Sequence, residues 1–352
     1  VEELEKRIRS ASGTRYAVAV NSGTSALHLA LQAAGIGCRD EVIVPSFSFI
    51  ATANSVVYCL ARPVFVDIEK DGYNIDAWKI EECIKSEYRL DKNKKALVNK
   101  KTGGFLKAVM PVHQFGFPAD MERINNLAGR YGLIVIEDAA CALGARYKNK
   151  KIGSLGNTAC FSFHPRKVLT TAEGGAITTN DAATAGLLAK LRNHGVNPMS
   201  AEKYSLLGYN YRMSDIHAAL GVAQISRLRE MIEKRRAIAK RYDTAFRGIE
   251  GLRTPQVPGY SGPIYQSYVL QLGKPAARNR LMVYLKKRGI STRVGNQAIH
   301  LEPYYLKHFG KRKLPRTEEA LKQTVSLPVF PGLSAAEQDY IISKVLECLK
   351  KG

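Results

Sequence analysis

The sequence predicts an α/β protein, with a mostly parallel central sheet, helices on both of its faces, and a smaller C-terminal α+β domain. Three observations predict it. Over the first two thirds of the 352 residues, short apolar runs alternate with segments of helical period, as strands buried on both faces do. The runs are too short to cross a bilayer. Past residue 247 the pattern changes, so the domains are expected at 1–247 and 248–352, with a long helix as the bridge.

Val1-Glu2-Glu3-Leu4-Glu5-Lys6 reads as an acidic amphipathic helix entered partway, with further residues expected upstream. Tyr16–Val20 is an apolar run, and Ser22-Gly23-Thr24 opens a helix through Leu27, Leu29 and Leu31 that Gly35 closes. Residues 41–44 form a strand stopped by Pro45; residues 63–68 form the next, and Asn74 to Asp76 mark a helix start. Residues 90–106 are polar and weakly periodic and read as an exposed excursion. Strands at 108–113, 133–136, 160–163 and 175–179 and a helix at 120–131 complete the alternation. A helix over 181–194 precedes a longer one from Ser214-Asp215 through Leu228, Ile232 and Ile238 to Phe246. In the last third, 267–272 alternates like a strand, while 277–288 and 334–349 are helical.

Lysine and arginine number 53 against 31 acidic residues, a formal charge of +22. The excess gathers at residues 85–107 (Lys92, Lys94, Lys95, Lys100, Lys101) and at 307–316 (Lys311, Arg312, Lys313). Neither stretch has the interleaved aromatics of a single-strand binder. A solvated basic surface is the first reading and attraction of a diphosphate-bearing substrate the second; no nucleic acid and no membrane insertion is expected. The six cysteines make no C-x-x-C pair and no zinc spacing, so no metal is expected and the thiols read as those of a reduced, cytoplasmic protein.

Three pieces carry chemistry. Asn21-Ser22-Gly23-Thr24-Ser25 joins a strand to a helix, so its amides and the helix dipole suit a phosphate; it is equally an ordinary helix cap. The apolar run at 134–136 leads into Glu137-Asp138. A carboxylate at a parallel strand's end lies where open α/β sheets bind ligands. It suits a protonated pyridine nitrogen, a metal or a helix cap. Lys167 closes Ser162-Phe163-His164-Pro165-Arg166-Lys167, just past a strand. It suits a Schiff-base lysine whose amine pKa is held down, or a plain surface lysine. The order of turn, acid and, about 30 residues on, lysine fits pyridoxal-phosphate (PLP) chemistry and few other schemes.

The chain resembles the DegT/DnrJ-type sugar aminotransferases, a branch of the fold-type-I PLP enzymes. The resemblance is carried by Asn21 to Leu27, Glu41 to Phe49, Pro111-Val112-His113, Glu137 to Ala140, Ser162 to Lys167, Glu173-Gly174-Gly175, Gly208 to Met213 and Leu327 to Gly332. It implies that Lys167 anchors the cofactor and moves the proton, and that Asp138 partners the ring nitrogen. It implies that Gly23, Thr24, Ser25 and Ser162 take the phosphate and that Phe49 stacks on the ring. Asn210 matches a residue that reaches the neighbouring subunit's site, implying a homodimer with shared active sites. Cys141 stands near the ring oxygen where the family usually has Gln, His or Glu, and Ala172 replaces a frequent Gly. The implied reaction moves an amino group from an amino acid, glutamate first, to a keto sugar on a nucleotide diphosphate, in amino-sugar or surface-polysaccharide synthesis. A non-sugar cyclic ketone and a non-catalytic PLP-binding protein are the alternatives. Tyr265, Tyr268, Tyr304, Tyr305 and, more weakly, His300 are candidates to line a sugar site.

Overall fold

The computed structural model describes residues 1–91, 93, 96–197, 200–204 and 206–350; Lys92, Lys94 and Lys95 of the first basic stretch lie outside the described residues. Helix α1 (Glu2–Ser12) leads into β1 (Tyr16–Val20), α2 (Gly23–Ala33), β2 (Asp40–Pro45), α3 (Ala51–Tyr58), β3 (Arg62–Val66) and α4 (Ala77–Glu87). The hairpin β4 (Tyr88–Asp91) and β5 (Ala96–Asn99) precedes β6 (Phe105–Val109), α5 (Met121–Tyr131) and β7 (Ile134–Asp138). The short β8 (Arg146–Tyr147) and β9 (Lys150–Lys151) come before β10 (Thr158–Ser162), β11 (Gly175–Thr179) and α6 (Ala182–Arg192). A second hairpin, β12 (Val196–Asn197) with β13 (Ser200–Tyr204), is followed by α7 (Asp215–Ile225) and α8 (Leu228–Phe246).

The large sheet has the order β1-β11-β10-β7-β6-β2-β3, with β5 also paired to β6 and β4 to β5. The pairs β2–β3, β2–β6, β6–β7 and β7–β10 are parallel, and β11 runs antiparallel to both β10 and β1. The sheet is therefore parallel along β10-β7-β6-β2-β3 and antiparallel at β1-β11-β10 and where β5 joins β6 and β4 joins β5. One consequence positions the site: β1, β2, β6, β7 and β10 all end at the same edge.

Alternation along the strands builds a core on each face. Ile43 of β2 and Val135 of β7 pack with Leu4, Ile124 and Leu143, whereas Val42, Val44 and Ile136 pack with Leu27, Leu31 and Val56. Helix α5 shows how locally the chain specifies an element. Asp120 caps it by accepting from the Arg123 amide, Met121, Ile124, Leu127 and Ala128 form its buried stripe, and Gly132 ends it at φ 67°.

The remaining chain forms β14 (Leu252–Arg253), β15 (Ser261–Gly262), β16 (Tyr268–Leu272), α9 (Pro275–Lys286), β17 (Arg293–Val294), α10 (Pro303–Phe309), α11 (Pro315–Gln323), β18 (Thr324–Leu327) and α12 (Ala335–Lys350). Its antiparallel sheet, β14-β16-β18-β17, shares a core with α9 and α12. Helix α8 serves both bodies: Met231 and Ile232 pack in the first core, and Ile238, Tyr242 and Phe246 in this one. Among the described residues no helix is long and apolar enough to cross a membrane.

Two expectations need correction. Residues 90–106 are not an excursion, since β4 and β5 form a hairpin whose Leu97 and Val98 pair with Leu106 and Phe105. In the sequence, the charge between Asp91 and Ala96 hides the short strand pattern on either side. The helix expected from Ser214 to Phe246 is two helices: Ser226 Oγ donates to the Ala223 carbonyl at 2.7 Å, and Arg227 sits at φ −97°, ψ 1°. The apolar spacing continues across that break and hides it. Helices α10 and α11, each with proline in its first turn, fall in a stretch to which the sequence pattern assigns no element.

Candidate active site

The first component forms where β1 hands over to α2. Ser22 is extended and its Oγ accepts from the Ser25 amide at 3.0 Å. The Ser25 hydroxyl donates to Asn21 Oδ1 at 2.6 Å and contacts Ser22 Oγ at 2.8 Å, so it is tied up within the turn. The first backbone bond of the helix runs from Ala26 to Ser22, which leaves the amides of Gly23 and Thr24 ahead of the ladder. A Cβ added to Gly23 would lie 2.7 Å from Ser162 Cβ and 3.0 Å from its Oγ. The helix start and the hydroxyl at the end of β10 thus meet at a distance that only glycine permits. Amides, dipole and hydroxyl together form an anion cradle.

The second component is the acid at the end of β7. The acidic pair divides between two tasks. Glu137 is fully buried and accepts from the amides of Leu155 and Gly156 at 2.9 and 2.7 Å. It also takes a bond from His113 Nε2 at 3.0 Å, while His113 Nδ1 accepts from the Ala119 amide; this is scaffold. Asp138 is 4% exposed; its Oδ2 accepts from Thr52 Oγ1 at 2.8 Å and its Oδ1 from the Ala140 amide at 3.2 Å. Thr52 spends its proton on Asp138, so it accepts from Ser48 Oγ at 2.8 Å, and the three form a relay. Burial pushes the Asp138 carboxyl above the usual range, against the pull of Thr52, Ala140 and the charge of Lys167. A cation placed against it would reverse that direction.

The third component is Lys167, held in the loop after β10 by the hydrogen bond its amide N–H donates to the His164 carbonyl at 2.8 Å. Its Nζ donates to Cys141 Sγ at 3.0 Å. Here the expectation of a depressed amine is corrected. Burial lowers the amine's pKa, but Cys141 and the Asp138 carboxylate act against it and the net direction is upward. These two partners outweigh desolvation because the end of β7, bearing Asp138, and the loop after it, bearing Cys141, both face the amine.

The structure therefore brings Asp138, Cys141 and Lys167 together, and separately Gly23 and Ser162, with Thr24 and Ser25 in the same turn. Phe49 lies three residues before Thr52 and is 61% exposed, a large apolar ring left uncovered. Asn210 has its backbone against Asn21, which donates to its carbonyl at 3.4 Å, and is itself exposed. Most of the sugar-site candidates do not converge. Tyr268 is buried in the C-terminal core with its hydroxyl on Asp243, and Tyr265 is buried beside it. Tyr305 is buried on Asn54, and His300 is buried with Nδ1 2.6 Å from Ser46 Oγ; Tyr304 is exposed. Thr52 and Ser48 were missed by the sequence reading. Their one signal is the i, i+4 spacing of two hydroxyls after a strand, and hydroxyls there usually cap helices.

A family model described as the DegT/DnrJ/EryC1/StrS aminotransferase family matches residues 1–346. The chain is 39% identical to GDP-perosamine synthase of Caulobacter vibrioides over 352 residues, covering 99% of this chain and 90% of the relative. It is 38% identical to the spore coat polysaccharide biosynthesis protein SpsC of Bacillus subtilis, covering 99% and 90%. Among solved structures, NtdA from Bacillus subtilis with bound cofactor PMP superposes with a TM-score of 0.87 at 28% identity, covering 99% of this chain and 77% of that one.

Proposed function

The chain belongs to the DegT/DnrJ/EryC1/StrS aminotransferase family, and on that premise we propose that it transfers an amino group from glutamate to a keto sugar carried on a nucleotide diphosphate. It is a PLP-dependent sugar aminotransferase. The nucleotide-sugar assignment is supported by similarity to GDP-perosamine synthase and to a protein of spore coat polysaccharide synthesis. The observation that carries the site assignment is the juxtaposition of Lys167 Nζ with Cys141, three residues past the buried Asp138 that ends β7.

The residues fit the cofactor. Lys167 would hold it, Asp138 would face its ring nitrogen, and Gly23, Thr24, Ser25 and Ser162 would receive its phosphate. Phe49 would cover one face of the ring, and Cys141 would lie beside the ring oxygen. When bound, PLP supplies the electron sink that transamination requires. The protein supplies the rest. Buried and fixed by Thr52 and Ala140, the Asp138 carboxylate keeps a cationic nitrogen opposite it protonated. Once released by the amino donor, Lys167 Nζ accepts a proton from the donor carbon and returns one to the sugar carbon. Its partners keep it charged between the two transfers.

We assign the working unit as a homodimer in which Asn210 completes the neighbouring subunit's phosphate site. The exposed Leu207 and Ile216 flanking that stretch, 84% and 83% accessible, support this. Unpaired thiols support a cytoplasmic location. The test is a panel of keto nucleotide sugars offered with glutamate. Glutamate-dependent formation of an amino sugar from at least one of them is expected. Turnover of cyclic ketones with none of the nucleotide sugars converted would contradict the substrate class.

A further inference from the structure

The thiol of Cys141 takes no part in the transfer just described, yet it is 3.0 Å from the amine that does. Its setting differs from that of the buried cysteines. Burial pushes Cys59 up to about 11 and Cys83 up to about 12, and raises Cys160 as well; such thiols stay protonated and unreactive. Cys141 is partly exposed on the loop after β7. A cationic neighbour is the setting in which thiols react with peroxides.

We propose that Cys141 and Lys167 form a reversible oxidative modification site: a hydroperoxide converts Cys141 to a sulfenic acid, and Nζ of Lys167 closes on the sulfur to give a sulfenamide. In the first step the sulfur gives an electron pair to the O–O bond and gains one oxygen as S–OH. With hydrogen peroxide the leaving oxygen departs as water. In the second step the lone pair of neutral Nζ attacks the sulfur, the S–O bond breaks, and hydroxide leaves with one amine proton as water. That condensation oxidises nothing further. An external thiol reverses the link: one equivalent opens the S–N bond and frees the amine, and a second releases Cys141 with formation of a disulfide.

The geometry favours this pair. The two atoms are in contact with the backbone as it stands, and the Lys167 amide is pinned to His164. The product removes the amine on which the transfer depends. A lysine engaged by the cofactor is shielded, so the enzyme is vulnerable in the part of the cycle when Lys167 is free. That last consequence rests on the reading of Lys167 as the cofactor's anchor; the link itself does not.

The experiment treats the PLP-loaded enzyme with hydrogen peroxide, with and without glutamate to free Lys167, followed by acid quench and peptide mapping. With glutamate, a cross-linked pair of peptides carrying Cys141 and Lys167 is expected, lighter than their sum by about 2 Da. Activity should fall in parallel with the linked fraction, and both should recover with excess thiol. Cys141→Ser should give no cross-link. Recovery of Cys141 as sulfinic or sulfonic acid with Lys167 unmodified, or unoxidised while Cys38 is oxidised, would overturn the proposal. Equal linking with and without glutamate would uphold the link while contradicting Lys167 as the anchor.

Discussion

At the scale of single residues, the relay from Ser48 through Thr52 to Asp138 separates what a side chain is from what it does. A valine at position 52 keeps the shape of threonine but leaves Asp138 Oδ2 without a donor. Bonds to charged groups contribute about 1.5–3 kcal/mol, so Thr52→Val should weaken PLP affinity by about tenfold or more in an absorbance titration; unchanged affinity would remove Thr52 from the site. Lys167→Ala should lower turnover by about 10³-fold or more, measured as amino-sugar formation, and wild-type rates would exclude the lysine. Glu69 offers a test of stability. Burial, then the charges of Asp76 and Asp120, push its carboxyl up to about 7 from 4.5. The folded chain then holds a proton that the unfolded chain releases, so this contribution to stability declines as pH rises from 4.5 and is gone above about 7. Glu69→Gln should therefore gain stability relative to wild type over that window, by about 3 kcal/mol at its upper end, read from denaturation midpoints at several pH values. Asp138 and Lys167 were legible because they stand at strand ends in a telling order. Thr52 was not, because nothing local distinguishes a threonine that donates to a distant acid from one that caps a helix.

At the scale of elements, the start of α2 is the decisive junction. Gly23 is required there by the approach of Ser162, not by an unusual φ. Gly23→Ala should displace the two segments and cut cofactor retention by about tenfold. Adding Ser162→Gly should relieve the clash but restore retention only in part, because the hydroxyl is lost as well. Full restoration would show that Ser162 gives the phosphate nothing. Elements whose pattern and punctuation agree, such as α5 with Asp120 and Gly132, could be read within a residue or two. Where they disagree the reading failed. Charge around β4 and β5 obscured a hairpin, and the unbroken apolar spacing across Ser226 and Arg227 joined two helices.

At the scale of the whole molecule, parallel strands place the ends of β1, β2, β6, β7 and β10 on one edge, so distant stretches of sequence converge on one site. The α/β class follows from that alternation, whereas the sheet order and the convergence of side chains do not; the buried Tyr268 and Tyr305 show how poorly residue type alone locates a sugar site. Shared sites make a further expectation testable by mixing. Lys167→Ala and Asn210→Ala chains, each impaired alone, should recover activity on co-refolding, since one site of each mixed dimer then has both residues. No recovery would argue for sites built within one subunit. The central claim, that the Lys167 amine carries the cofactor, is tested most directly by reducing the PLP-loaded enzyme with borohydride and mapping its peptides. The account predicts the cofactor's mass fixed on Lys167; the same mass on another lysine, with Lys167 unmodified, would contradict it.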